Sequence, residues 1–301
     1  MRIRVYSICV KLFKWPTLKI HCWGGLGSQL YALALYLRLS KLFPKRSIEV
    51  VFHTGGVTER LSDLAFIFPN AQIIEDFSTG QFVEQNSSVK MHARIRSHFR
   101  NSLKRVLLAL GFLAALDSEN QFKAIKPWVL AIRGHYSDLC IPPEVAQGIY
   151  KEAVRNFPEY LLMESTDFIG IHYRLGDLLE LVTKSPTDSS YLEQVMKLLP
   201  ENFKNLSFQI FSDSPAVARQ NLSFIVDKYV TSIQAGAPWE VILTLANAKI
   251  VIGTSSKLSI WSCILALSQD QNVQIFMPSN LKMKLERNLY DFPETKNVNT
   301  I

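Results

Sequence analysis

No aspartate in this 301-residue chain is followed two positions later by another, and no acidic cluster would hold a divalent cation against a diphosphate. Neither a metal nor a resident cofactor is therefore expected. Cysteine is scarce. Cys9, Cys22, Cys140 and Cys263 are the whole set, with no C-x-x-C and no finger spacing, which excludes a disulfide framework or zinc module and fits free thiols in a reducing compartment. Long apolar runs are missing too: the longest, Val106–Leu116, has 11 residues, well short of the ~20 that a spanning helix needs. Lys11 and Lys14 interrupt the apolar stretch at the N-terminus, so it lacks the layout of a secretory leader. The expectation is a cytoplasmic protein.

What is present is a core. Apolar residues make up 48% of the chain and charged ones 20%, a balance that folds, and the length suits two domains. The net charge of +7 is unevenly placed. Residues 1–160 carry 21 Lys/Arg against 12 Asp/Glu, whereas residues 161–301 carry 12 against 14. Attraction for anions or an anionic surface lies in the first half.

Along the chain, 17–23 reads as a strand, then Gly24-Gly25-Leu26-Gly27, then an apolar helix over 28–42 and a second strand at 47–53. Residues 90–116 read as one long helix, and 134–143 as a loop near a domain boundary. Beyond it, strands at 167–173, 206–211, 222–226, 249–252 and 272–276 alternate with helices at 188–199, 214–220, 239–247 and 255–267. Apolar strands separated by helices imply a parallel sheet covered on both faces. The expected architecture is α/β, two Rossmann-type domains over 17–155 and 156–301 preceded by a basic segment, 1–16.

In such sheets ligands sit beyond the carboxyl ends of the strands. "FIGIHYRLGD" ends in chemistry: by strand alternation Gly170, His172 and Arg174 share one side, so His172 and Arg174 are expected in one crevice. "SFQIFSDS" runs out into Ser212 and Asp213. "KIVIGTSSKLSIW" turns at Gly253 into Thr254, Ser255 and Ser256, which open a helix whose N-terminus suits a phosphate. Arg174 offers a bidentate fork for the same phosphates, and Asp213 an acceptor for a nucleobase. Each residue also has a plain structural reading: His172 as a core histidine, Arg174 paired with Asp177, Asp213 as a helix cap. Three strand ends coinciding favour a nucleotide-diphosphate pocket in which Arg174 stands in for a metal. Gly24, Gly25 and Gly27 have a phosphate-approach pattern but lack the third glycine of G-x-G-x-x-G, with Leu30 in its place.

"GGLGSQLYALAL" resembles the opening motif of bacterial α-1,2-fucosyltransferases. "HYRLGD" is similar to the His-x-Arg-x-Gly-Asp motif those enzymes share with α-1,6- and protein O-fucosyltransferases. "IFSDSPAVAR", "LANAKIVIGTSSKLSIW" and "IRGHYSD" are similar to further segments of the family. The resemblance spans residues 17 to 276 and implies a GT-B fold facing a cleft, with an inverting, metal-independent transfer from GDP-fucose to a glycan hydroxyl. Surface polysaccharide or O-antigen assembly is the implied setting. By motif position Arg174 would grip the β-phosphate, with Gly176 in the same loop. His172, Ser212 and Asp213 would lie near guanine or ribose, and Thr254, Ser255 and Ser256 near the diphosphate. Gly24, Gly25 and Gly27 would face the donor. Asp177 is the first candidate for general base, ahead of His21 and His53. Ser28 replaces the family's Asn, Leu175 a second Arg, and Ile260-Trp261 a Trp pair, which leaves a different nucleotide sugar, or a non-catalytic nucleotide- or glycan-binding protein, as alternatives.

Two basic segments stand outside these motifs. Arg4, Lys11 and Lys14 form one helical stripe in residues 1–16, and Lys90, Arg94, Arg96, Arg100, Lys104 and Arg105 precede an apolar run. Basic amphipathic segments of this kind lie on anionic membranes, and a lipid-linked acceptor would give that placement a purpose. No nucleic-acid recognition motif accompanies them.

Overall fold

The computed structural model describes residues 16–54, 62–74, 105–161, 167–175, 189–203, 205–270, 272–293 and 295–301. The chain divides between Tyr136 and Ser137 into two units, each built on a parallel sheet.

In the first unit β1 (Leu18–Trp23) leads into helix α1 (Leu26–Leu42), β2 (Ile48–His53) and β3 (Gln72–Ile74). A helical segment over 105–109 precedes β4 (Leu113–Ala115), and α2 (Glu119–Lys123) precedes β5 (Ala131–Arg133). The strand order is β3-β2-β1-β5-β4, every pairing parallel. Leu18, Ile20 and Cys22 alternate onto one buried face of β1. The reciprocal bonds between Ser118 and Gln121 box the start of α2.

The second unit opens with α3 (Pro143–Asn156), then β6 (Phe168–His172), α4 (Ser189–Leu198), β7 (Ser207–Phe211), α5 (Pro215–Asn221), α6 (Ser223–Val226) and β8 (Thr231–Gln234). It continues with α7 (Pro238–Ala246), β9 (Ile250–Ile252), α8 (Lys257–Gln269), β10 (Gln274–Met277), α9 (Lys282–Asn288) and β11 (Val298–Thr300). Its sheet runs β11-β10-β9-β6-β7-β8, again all parallel. Ile169, Ile171, Phe208, Ile210, Ile250 and Ile252 form the centre of one core, fully buried as a doubly covered sheet requires. Gly170 is forced by packing: a Cβ there would stand 2.5 Å from Leu245 Cδ2 and 3.1 Å from Ala248 Cβ, so α7 could not lie so close to β6.

Four expectations are corrected. Residues 222–226 are not a strand, because Leu222 and Ile225, three apart, both enter the core, which is helical spacing. The strand in that region is the polar edge strand β8. Residues 105–116 are not one helix: the segment stops at 109, Gly111 takes φ +75°, and Leu113 begins β4. The remainder of that reading, 90–104, lies outside the described residues. Helix α1 starts at Leu26 rather than Ser28, so Gly27 is helical and buried. The boundary lies before α3 rather than after it, because Val145, Ala146, Ile149 and Ala153 are buried. Gln147 Nε2 also donates to Ser268 O (3.2 Å) and Tyr150 Oη to Asn247 Oδ1 (3.0 Å).

Asn288, fully buried, closes the second unit. Its Nδ2 donates to Ser137 O (3.0 Å) and Leu139 O (2.7 Å), and its carbonyl accepts from Ile141 N (2.9 Å). Cys22, Cys140 and Cys263 are buried free thiols. Among the described residues no helix is long and apolar enough to cross a membrane.

Candidate active site

Strands β6, β7 and β9 end side by side, with His172 opposite Phe211 and Ile171 opposite Ile252. The chain therefore leaves the sheet at three neighbouring points: Tyr173-Arg174-Leu175, Ser212-Asp213 and Gly253 to Ser256. These exits are stitched together. Tyr173 N donates to Phe211 O (2.8 Å), Arg174 N to Thr254 Oγ1 (3.3 Å) and Leu175 N to Asp213 Oδ1 (2.8 Å), while Thr254 Oγ1 donates to His172 O (2.9 Å). The backbone that carries Arg174 is thus fastened to β9's exit on one side and β7's on the other. Arg174 itself is partly buried and Asp213 exposed.

Asp213 is not a helix cap: Ser214 is the N-cap of α5 and makes no side-chain cap bond. Its carboxylate holds the Arg174 loop instead. Ser212 is buried, and its Oγ accepts from Ser214 N within its own turn (3.1 Å). The alternation expected to send His172 into Arg174's crevice ends at His172, the last residue of β6. Its imidazole is buried against α8, with Nδ1 2.7 Å from Ser259 Oγ and 3.4 Å from Ser256 Oγ. Burial, reinforced by the Arg174 charge and opposed by Asp213, lowers its pKa to about 4. The ring is neutral at pH 7, and it positions the start of α8.

Gly253 brings that start close to the sheet. A Cβ there would lie 2.2 Å from Met277 Sδ and 2.8 Å from Ser259 Cβ. Ser256 caps α8 by accepting from Ser259 N (3.1 Å), and Ser259 Oγ accepts from Thr254 N (3.1 Å). Ser255, partly buried, donates to Asn280 Oδ1 (3.2 Å). The first turn of α8 contains no acid and begins with Lys257. A cation at the positive end of a helix dipole is locally unfavourable, and it makes sense where an anion is to be bound. Lys257 and Ser259 were both missed in the sequence. The signal was present as "TSSKLS", a hydroxyl-rich turn carrying a lysine where an acid is usual. Gly176 and Asp177 lie outside the described residues.

In the first unit β1 and β2 also end together, Trp23 opposite His53. Trp23 stacks on His53 with centroids 4.2 Å apart and planes at 15°, and His21 Nδ1 lies 2.8 Å from His53 Nε2. One ring must donate to the other across that contact. Tyr136 donates its hydroxyl to His21 O (2.6 Å). Gly24 takes φ +89°, which a side chain would strain, and Gly25 is the uncapped N-cap of α1. Gln29 pins this turn, donating to Gly24 O (3.0 Å) and accepting from Asp63 N (2.8 Å). It too was unmarked in the sequence reading. Among the described residues no group of three His, Cys, Asp or Glu could hold a metal ion.

Two parallel-sheet α/β units, the second with a doubly fastened Arg174 backbone and a hydroxyl-rich helix start at its strand ends, have the plan of a GT-B fold. Residues 144–290, inside the second unit, match the model described as "Glycosyl transferase family 11". The second unit is thus similar to that family's domain over most of its length. Similar solved structures include the E. coli heptosyltransferase WaaC with ADP-2-deoxy-2-fluoro heptose, at 12% identity over 95% of this chain and 92% of that one, TM-score 0.45. NodZ alpha-1,6-fucosyltransferase soaked with GDP-fucose is similar at 15% identity, 83% and 92% coverage and TM-score 0.34. POFUT1 in complex with GDP is similar at 11% identity, 87% and 97% coverage and TM-score 0.38. No curated protein sequence matches the chain significantly.

Proposed function

We propose that this protein transfers fucose from GDP-fucose to a glycan hydroxyl, in the α-1,2 manner and with inversion, without a metal. The observation that carries the reading is the double fastening of the Arg174 loop by Thr254 and Asp213, which preorganises a permanent cation beside the capped start of α8. Preorganised charge is what a departing diphosphate requires. The motif resemblance supports guanine and fucose as the donor's two ends. In the reaction the acceptor oxygen attacks C1 of the sugar while the C1–O bond to the diphosphate breaks. The bonding pair leaves on GDP, where Arg174, Lys257 and the N–H groups opening α8 neutralise it. The acceptor's proton passes to a base, for which Asp177 is the first candidate and the His21–His53 pair the second. Thr254, Ser255 and Ser256 contact the diphosphate, Gly176 continues the Arg174 loop, and Asp213 meets the nucleoside. His172 acts on the donor through Ser259 and α8.

The first unit is assigned to the acceptor, a surface-polysaccharide or O-antigen glycan on a lipid carrier, at the cytoplasmic face of the membrane. Residues 1–16 are proposed to bind that membrane through their basic stripe. Calorimetry with GDP, UDP, ADP and their sugars tests the donor. GDP-fucose binding with turnover that Arg174→Ala abolishes supports the proposal; tighter binding of a uridine or adenine nucleotide overturns it.

A further inference from the structure

The starting ends of the first unit's strands carry a surface that sugar transfer does not use. Helix α1 terminates there at Leu42, and β2, β4 and β5 begin there at Ile48, Leu113 and Ala131. The connecting segments are tied into one face. Arg46 donates to Pro127 O (2.6 Å) and to Val129 O, Trp128 Nε1 to Leu110 O (3.2 Å), and Leu130 N to Phe112 O (2.7 Å). A Cβ on Gly111 would stand 3.2 Å from Trp128 Nε1 and 3.6 Å from Lys126 Cγ, so these three residues adjoin.

This face is apolar and exposed. Leu110 is 57% exposed, Val106 53%, Leu42 51% and Trp128 40%. Of the large apolar side chains exposed among the described residues of this unit, all but Ile73 lie on these segments. The face is also basic: residues 41–46, 105–112 and 123–130 contain Lys45, Arg46, Arg105, Lys123 and Lys126 among their cations and no carboxylate. The nearest acid along them is Glu49, on β2. A contiguous apolar patch with a basic collar marks an interaction surface rather than one meeting water alone. Aliphatic side chains do not stack on nucleobases, whereas an interfacial tryptophan with leucine, valine and neighbouring lysines suits lipid headgroups of negative charge.

We infer that this end of the first unit docks on an anionic bilayer surface, with Trp128, Leu110 and Val106 entering the headgroup region and Lys45 and Lys126 meeting lipid phosphates. The inference rests on described residues and stands apart from both the donor sugar and residues 1–16. The test is co-sedimentation of the full-length chain with phosphatidylcholine vesicles, with and without phosphatidylglycerol. Binding that requires phosphatidylglycerol is expected. Val106→Asn with Leu110→Asn, and separately Lys45→Glu with Lys126→Glu, should each lower the partition coefficient at least about tenfold. Val230→Asn, at the exposed edge of the second unit, should change nothing. Trp emission should shift to the blue on vesicles, and Trp128→Phe should remove that shift. GDP binding and melting temperature measured on each variant separate loss of docking from loss of fold. Should the asparagine pair unfold, the lysine pair and the Trp128 emission decide. A chain that ignores anionic vesicles, that binds them equally well with both pairs replaced, or that is retained by DNA but not by vesicles, overturns the inference. Failure of GDP binding with vesicle binding intact sinks only the donor reading.

Discussion

Arg174 hangs from a loop whose backbone is held by Thr254 on one side and Asp213 on the other, and the proposed transfer uses its charge against the diphosphate. Lysine keeps the charge and loses the planar fork. Arg174→Lys is expected to lower kcat/KM by the equivalent of about 2–4 kcal/mol, the scale of one preorganised donor, as steady-state kinetics will read; near-normal turnover would leave the residue a structural part. His172 yields a stability prediction with a definite sign. A histidine ordinarily takes its proton near pH 6.5, and this one is held down to about 4. Between those values the unfolded chain binds a proton that the folded chain refuses. Stability therefore falls as pH drops from about 6.5 to about 4, by roughly 3 kcal/mol in all, and the loss stops below that. Urea titrations of His172→Gln, which cannot titrate, should show a flatter profile over that window. At this scale the sequence marked Arg174, Asp213 and the hydroxyl turn because a polar residue ending an apolar strand is visible in one dimension. It offered a buried His172 only as the plainer alternative and did not mark its partner Ser259, 87 positions away.

Helix α8 shows how an element carries the site. Its first turn is placed by Gly253, whose hydrogen sits where a methyl would strike Met277 Sδ and Ser259 Cβ. The methionine tail can move; Ser259 Cβ cannot without shifting the helix. Gly253→Ala is expected to cost about 1–3 kcal/mol and to weaken GDP binding with it, seen as a lower urea midpoint and a poorer calorimetric Kd. Wild-type affinity in a destabilised variant would separate the two. Central strands such as β6 and β9 were legible as unbroken apolar runs. Edge strand β8 was not, because Thr231, Ser232 and Gln234 alternate with a single apolar residue, whereas Leu222 to Val226 has a strand's composition and a helix's burial. Helix α3 was not marked in the sequence, and an apolar stripe such as Val145, Ile149 and Ala153 does not say which unit covers it.

For the whole molecule two outcomes are expected. Activity should persist in EDTA, since the proposed mechanism neutralises the diphosphate with side chains; loss in chelator with recovery in Mg²⁺ or Mn²⁺ would reverse that view. Deleting residues 1–16 should leave GDP binding intact while reducing salt-sensitive attachment to anionic vesicles, each lost charge being worth roughly 1 kcal/mol there. A truncated protein that unfolds or loses GDP binding would instead make those residues part of the core. The two-unit α/β plan was legible from the alternation of apolar strands and helices, because parallel sheets impose it. The dividing point was not, because it depends on contacts made late in the chain.

Those late contacts bear on how the protein is made. All five strands of the first sheet are present once residue 133 has been synthesised. Residues 137–141, by contrast, find their partner only when Asn288 appears. At about 5–20 residues per second that interval lasts roughly 7–30 seconds. During it β6 also waits for β9, its neighbour at the centre of the sheet, and its apolar edge stands open. The second unit is thus the one that stands with open apolar edges during translation, the state most prone to misassembly, while the first sheet already has all its strands.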